Sequence, residues 1–281
     1  MIDINKDGLL EVLVGGFGGC VWAWTANGNP LGGYPLQTDG DTCNADRIGG
    51  PLAIGDVNDD GVLDIVAGTN GVSTSSGERG KVFVWNSNGN QLLGWPKEMG
   101  WNSTYGSGTA EVTSVALGNV SDSSELEVIA GTTNNASNGG ASTESTPNLY
   151  VWTGSGVPVG SFPTGYKTAG IWGAIAVANI SGDGHVKVIT GRDHLYAHAY
   201  DASGQYLTNW PVRVFVNLSE TDYDRHKYIE FTRTAPSIGD LEGDGIRDIV
   251  LVGHVRDPLN GHAVIANSVV VLQPNGQSKA G

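Results

Sequence analysis

The stretch Gly55-Asp56-Val57-Asn58-Asp59-Asp60-Gly61-Val62-Leu63-Asp64-Ile65-Val66-Ala67-Gly68 decides the reading of this chain. Counted from Asp56, side-chain oxygens stand at loop positions 1, 3, 5 and 9, and a backbone carbonyl is available at position 7. Gly61 at position 6 lets the chain turn sharply. That is the oxygen spacing with which a loop wraps a hard divalent cation that takes six or more oxygen ligands. It begins like an EF-hand loop but is closed early by an acid at position 9. The β-branched run that follows predicts a strand where an EF-hand has a helix.

The loop recurs five times, headed by Asp3, Asp56, Asn119, Asn179 and Asp240. The first copy, Asp3 to Glu11, supplies three carboxylates and an amide; the fifth, Asp240 to Asp248, supplies four carboxylates. The third, Asn119 to Glu127, has neutral Asn and Ser at positions 1, 3 and 5 and no turn glycine, so it is expected to be weak or empty. In the fourth, Asn179 to Lys187, an ammonium stands at the closing position and could take the cation's place electrostatically. Any one copy alone also reads as an Asp-Gly hairpin turn. Three copies with oxygens at matched offsets favour calcium.

Between the loops runs a second signature. It is an alternating aromatic and aliphatic strand followed by a tight turn: Val21-Trp22-Ala23-Trp24, Val82-Phe83-Val84-Trp85, Leu149-Tyr150-Val151-Trp152, Tyr196-Ala197-His198-Ala199-Tyr200 and Val269-Val270-Val271-Leu272. Tyr34-Pro35, Trp95-Pro96, Phe162-Pro163 and Trp210-Pro211 close the first four copies. A period of roughly 53 to 63 residues with four strands per unit predicts an all-β propeller. The five repeats run over approximately 1–50, 51–110, 111–170, 171–234 and 235–281, the first and last incomplete. Alternation assigns the Trp and Tyr residues to packing between blades.

This pattern resembles the FG-GAP and VCBS repeats of integrin-type β-propellers over essentially the whole chain. The resemblance implies structural calcium loops between the first and second strands of a blade, away from the ligand-binding face. Carried onto this sequence, it implies Ca2+ ligands at Asp3, Asn5, Asp7, the Leu9 carbonyl and Glu11; at Asp56, Asn58, Asp60, the Val62 carbonyl and Asp64; and at Asp240, Glu242, Asp244, the Ile246 carbonyl and Asp248.

Composition fits a secreted all-β protein. Gly is abundant, at 43 of 281 residues, and the net charge of −14 lies largely in the metal loops. An acidic surface argues against nucleic acid as a partner, and no apolar run is long enough to span a membrane. Cys20 and Cys43, the two cysteines, suggest a disulfide, with two free thiols as the alternative. Of the Asn-x-Ser/Thr triplets, Asn102, Asn135 and Asn217 are the glycan candidates. The expected setting is extracellular or at a cell surface, although the chain shows no signal-peptide pattern. The unfinished end repeats suggest a segment of a longer protein or strands completed by a neighbour.

Function is less legible, because a propeller is a scaffold whose activity lies in its loops. The longest connection, Val212 to Thr234, carries Tyr223, Arg225, His226 and Lys227 as candidates for a ligand-binding surface. The preferred expectation is a module that binds a protein or glycan ligand or associates with its own kind through the terminal blades, as in a fibre or surface layer. The competing one is a calcium-dependent polysaccharide lyase of the rhamnogalacturonan type, in which Arg225, His226 and Lys227 would supply the base and the positive charge.

Overall fold

The computed structural model describes residues 1–38, 43–44, 47–71, 79–99, 110–133, 147–165, 170–192, 196–217, 219–220, 222, 224–231 and 233–279. All strand pairings among them are antiparallel. The first blade holds β1 (Val12–Gly15), β2 (Cys20–Trp24) and β3 (Leu36–Gln37). Ahead of it, Ile2 pairs with Glu11 in a single bridge. The second begins with β4 (Arg47–Ile48), an edge piece on β6, and continues with β5 (Ala53–Gly55), β6 (Asp64–Asn70), β7 (Lys81–Asn86) and β8 (Lys97–Glu98). The third is β9 (Val112–Gly118), β10 (Glu127–Thr132), β11 (Pro147–Trp152) and β12 (Thr164–Gly165). The fourth is β13 (Ala176–Ala178), β14 (Lys187–Gly191), β15 (Tyr196–Tyr200) and β16 (Val212–Phe215).

The fifth blade departs from this plan. It comprises β17 (Tyr228–Glu230), β18 (Ser237–Gly239), β19 (Asp248–Asp257) and β20 (Ala263–Leu272). β16 pairs with β17 through Val214 and Ile229, so the fourth and fifth blades share one sheet. The Val212–Thr234 stretch, expected from sequence to be a loop, therefore contains two strands. Its β-branched and aromatic ends, Val212-Arg213-Val214-Phe215 and Tyr228-Ile229, satisfy their backbone groups by pairing with each other.

Strand alternation gives every blade two apolar faces. One, here face A, carries residues one and three past the loop plus two side chains two residues apart on the next strand, an aromatic pair in the first four blades and Val270 and Leu272 in the fifth. These pairs stack in four blades: Trp22 on Trp24, Phe83 on Trp85, Tyr150 on Trp152 and His198 on Tyr200. Face B carries the intervening residues. Each junction seats face B of one blade on face A of the next. Val21 meets Ile65, Ala67, Phe83 and Trp85; Val66, Val82 and Val84 meet Val128, Ala130, Tyr150 and Trp152; Ile129, Leu149 and Val151 meet Val188 and Tyr200; Ile189, Ala197 and Ala199 meet Ile249, Leu251, Val270 and Leu272. Each buried Val, Leu, Ile or Phe among these contributes about 1.5–3 kcal/mol.

On face B the fourth residue past the loop is Gly15, Gly68, Gly131 or Gly191. An added Cβ would lie 2.2 to 2.8 Å from Ile48, Val112, Ile171 or Thr234, on the chain that enters the next blade. In the fifth blade the same position is Val252.

The aromatic-proline stops also bridge blades. All four peptide bonds are cis. Trp95 donates its indole N–H to the Gly154 carbonyl at 2.8 Å, and Trp210 donates to the Pro274 carbonyl at 2.8 Å, each in the hairpin turn of the following blade. Cys20 and Cys43 are joined by a disulfide with Cα atoms 5.2 Å apart, which closes the alternative of free thiols. The junction of the third and fourth blades is polar at one point. The fully buried Arg192 donates to Asn148 of the third blade and, at 2.9 Å, to the Tyr200 hydroxyl, which lies 3.3 Å from His198 Nδ1. Burial and then the Arg192 charge push the His198 pKa well below its usual value, so this imidazole is neutral.

Trp95→Phe keeps an aromatic ring in the junction but leaves the Gly154 carbonyl without its donor. It is expected to cost about 2 kcal/mol, read as a shift of the urea unfolding midpoint at unchanged slope.

Candidate functional site

The loops join β5 to β6, β9 to β10, β13 to β14 and β18 to β19, and in the first blade the Ile2 bridge to β1, and neighbouring loops touch. Lys6 donates to the Gly61 carbonyl, His185 Nδ1 lies 2.6 Å from Asp122 Oδ2, and Arg247 donates to the Ile180 and Asn179 carbonyls at 3.1 and 3.2 Å. Position 6 is left-handed at Gly8, Gly61, Gly184 and Gly245. Position 4 is left-handed too, and there the first three loops carry Lys6, Asp59 and Asp122. The sequence reading missed position 4, because lysine gives no signal of that conformation.

The first two loops are built alike. In the first, the amides of Asp7 and Gly8 donate to Asp3 at 3.0 and 2.9 Å, and the Leu9 amide donates to Asp7 at 2.8 Å. In the second, Asp60 and Gly61 donate to Asp56 at 3.1 and 2.8 Å, and Val62 to Asp60 at 2.7 Å. The closing acids, Glu11 and Asp64, are wholly buried. One oxygen of each accepts a 3.0 Å bond from the position-2 amide, of Ile4 or Val57. The other, Glu11 Oε1 or Asp64 Oδ1, is buried and meets no donor. Burial pushes the Asp64 carboxyl up to about 6; the Val57 bond works against the rise, and Asp60 and Asp56 add to it.

A buried carboxylate oxygen lacking a donor costs several kcal/mol unless a proton or cation meets it. Hard oxygen donors at positions 1, 3, 5, 7 and 9 match what calcium takes, so the residues present fit that ion. Among the described residues no three His, Cys, Asp or Glu side chains form a ready-made metal cluster, and the acids of positions 1 and 5 accept bonds from loop amides.

The other three loops meet the same electrostatic demand with groups of the chain itself. In the third, Glu127 accepts bonds from the Val120 and Ser121 amides at 2.6 and 3.2 Å and from the hydroxyls of Ser121 and, at 3.2 Å, Ser123. In the fourth, the buried Lys187 Nζ donates to Asp183 Oδ1 and Oδ2 at 3.2 and 2.9 Å and to the His185 carbonyl at 2.9 Å. These are the position-5 and position-7 oxygens. Burial alone would raise the Asp183 carboxyl, but the bonds from Lys187 and the His185 amide, with the Lys187 charge, outweigh it and hold it at about 2. In the fifth, Lys279 reaches in from beyond the last hairpin and bridges Glu242 and Asp248 at 2.5 and 2.8 Å. Those acids, Asp248 first, raise the Lys279 pKa. The Gly245 amide, helped by those of Gly243, Asp244 and Glu242, lowers that of Asp240. Nothing in the sequence linked Lys279 to a loop more than thirty residues upstream.

The candidates between β16 and β17 are not gathered at one point. Arg225 lies 3.5 Å from Asp222, His226 Nε2 2.9 Å from Glu220, and Lys227 3.8 Å from Asp257, so each basic group has its own acid. Tyr223 lies outside the described residues, as do Asn102 and Asn135. Asn217 is exposed, and its Oδ1 accepts from the Ser219 amide and hydroxyl at 3.2 and 2.9 Å. Among the described residues no helix is long and apolar enough to cross a membrane.

No protein-family model matches this chain, and no curated protein matches it in sequence. Solved structures do resemble it. It aligns over 99% of its length with 37% of the V. cholerae biofilm matrix protein Bap1, at 15% identity and a TM-score of 0.53. It aligns over 95% with 59% of a europium-containing methanol dehydrogenase, at 11% identity and 0.53. A quinohemoprotein alcohol dehydrogenase from Comamonas testosteroni is covered to 57% by 95% of the chain, at 9% identity and 0.50. The chain folds as a β-propeller. It spans less than two thirds of each of these proteins, and at such identities the likeness is one of fold.

Two outcomes follow for the propeller's lysine-closed loops. Because the Asp183 pKa is depressed, the stability it lends is present above the ordinary carboxylate range and lost as pH falls toward about 2. Lys187→Met should return this carboxyl to the ordinary range, followed by carboxyl carbon shifts against pH. Lys279→Ala should tighten calcium at the fifth loop about tenfold, read by titration calorimetry in a chain that also carries Asp3→Ala and Asp56→Ala.

Proposed function

We propose that this chain is an extracellular FG-GAP/VCBS-type propeller module, stabilised by calcium in its first two loops, whose role is to bind a protein or glycan ligand or its own kind. The observation that carries the binding role is the pair of exposed apolar sheet faces at the two ends of the blade series, which bear Val12, Val14 and Trp22 on one and Val252 and Val269 on the other. Contiguous exposed apolar surface on a soluble protein marks a place of contact. The Cys20–Cys43 disulfide supports an oxidising compartment.

Calcium in the first two loops is supported by the buried oxygens of Glu11 and Asp64 that meet no donor. When bound, the ion would supply positive charge to these carboxylates and tie the Ile2–Glu11 bridge and the β5–β6 turn into closed loops. A uronate lyase needs a base and a cation focused on one sugar. The pairing of Arg225, His226 and Lys227 with three separate acids gives that reading no support.

Chelation is the test of the metal. At calcium a hundredfold above the dissociation constants, two sites are worth about 5 kcal/mol, so EGTA should lower the melting temperature by roughly 10 °C or more. An unchanged midpoint, with no terbium luminescence sensitised by the chain, would overturn the calcium reading.

A further inference from the structure

The repeat defines which faces ought to be covered. Residue 2 of each loop lies on face B. Ile4, Val57, Val120 and Ile180 are each no more than 1% exposed, because the following blade covers them, whereas Leu241 of the fifth loop is 58% exposed. The rest of this face shows the same contrast. Val252 and Val269, paired across β19 and β20, are 57% and 64% exposed, and Val250 and Val271 beside them are half-buried. At the other end, face A of the first blade presents Val12 opposite Trp24 and Val14 opposite Trp22. Val14 and Trp22 are 47% and 41% exposed, while their counterparts Ala67 and Phe83 in the second blade are buried at a junction. The described blades thus leave one face A and one face B unseated, and Lys279, paired with Glu242, borders the second.

We propose that these two faces seat each other between copies of this chain: face A of one copy's first blade packs on face B of another copy's fifth blade, head to tail. This rests on the binding role proposed above and names its partner as a second copy. The second copy is favoured because the same two kinds of face already meet four times within the chain, in three of them with aromatic side chains from face A against aliphatic ones from face B. The contact is heterologous, so a bound pair still presents one free A and one free B, and association continues. Val252, where the other four blades have glycine, adds an apolar side chain to this face, so an incoming blade sits farther out here than at the four internal junctions, where a Cβ would meet the entering chain at 2.2 to 2.8 Å. With a net charge of −14 on each copy, salt and calcium should both promote the association by reducing repulsion.

Complementation tests the pairing. Trp22→Lys spoils face A alone, and Leu241→Lys with Val269→Lys spoils face B alone. All are exposed positions, so the variants should keep the parent melting temperature, and Val12→Lys is a second face-A variant. By light scattering in calcium and moderate salt, the parent chain should grow in mass with concentration past the dimer. Each variant alone should stay monomeric, and an equimolar mixture of the two should form a one-to-one dimer through the two intact faces. A face-A variant that dimerises alone, or a face-B variant that does, would replace this pairing with a symmetric one and leave the binding role standing. A mixture that stays monomeric while the parent associates would also overturn the pairing. A parent chain that is monomeric at all concentrations would overturn both the pairing and the self-binding part of the proposed role.

Discussion

A β-sheet that is apolar on both faces is stable only with something against each, and that constraint organises this protein. Once residues past each loop alternate between two apolar faces, a lone blade would expose both, so blades must stack. Stacking then fixes the rest. The aromatic pairs sit where they can interdigitate with Val, Ile and Ala, the glycines of face B sit where the next blade's entering chain passes, and the indoles of Trp95 and Trp210 reach the neighbouring hairpin turn. The loops are the turns this arrangement requires, placed between a strand near the start of the blade and the strand that carries both faces.

The same positions solve one electrostatic problem in different ways. A side chain at loop position 9 opens a central strand and is buried there. As an acid it needs positive charge or hydrogen-bond donors. The third loop supplies serine hydroxyls, the fourth replaces the acid with Lys187 and turns the charge around, and the fifth borrows Lys279 from a distant turn. Glu11 and Asp64 each keep one oxygen with no donor. The five loops therefore form a graded series, in which the closing side chain's need for a cation depends on what the chain itself provides.

Much of this was legible in sequence because it is written in local spacing. Loop length, turn glycine, alternating strand and aromatic-proline stop all lie within a few residues of one another, and repetition removes the ambiguity of a single copy. The lysine at position 187 declared its role by standing where an acid belongs. The sequence did not convey what depends on long-range approach. Lys279 reaches the fifth loop only after a hairpin folds back, the Val212–Thr234 stretch becomes strand only by pairing β16 with β17, and the left-handed Lys6 is imposed by its loop. Arg225, His226 and Lys227 looked like a cluster because they are adjacent, but successive residues in a turn point apart and found separate acids.

One junction differs from the others in a way that bears on the order of the blades. Units of similar sequence and interchangeable apolar faces could stack out of sequence while the chain is collapsing, since a valine surface does not distinguish one aromatic pair from another. Arg192 does distinguish. Its guanidinium is buried between the third and fourth blades and is met there by Asn148 and Tyr200. If any other blade were placed against the fourth, this charge would be sealed into an apolar interface without its partner from the third, at a cost of several kcal/mol. The polar contact gives the middle of the series an address, from which the apolar junctions on either side can be laid down in the right sequence.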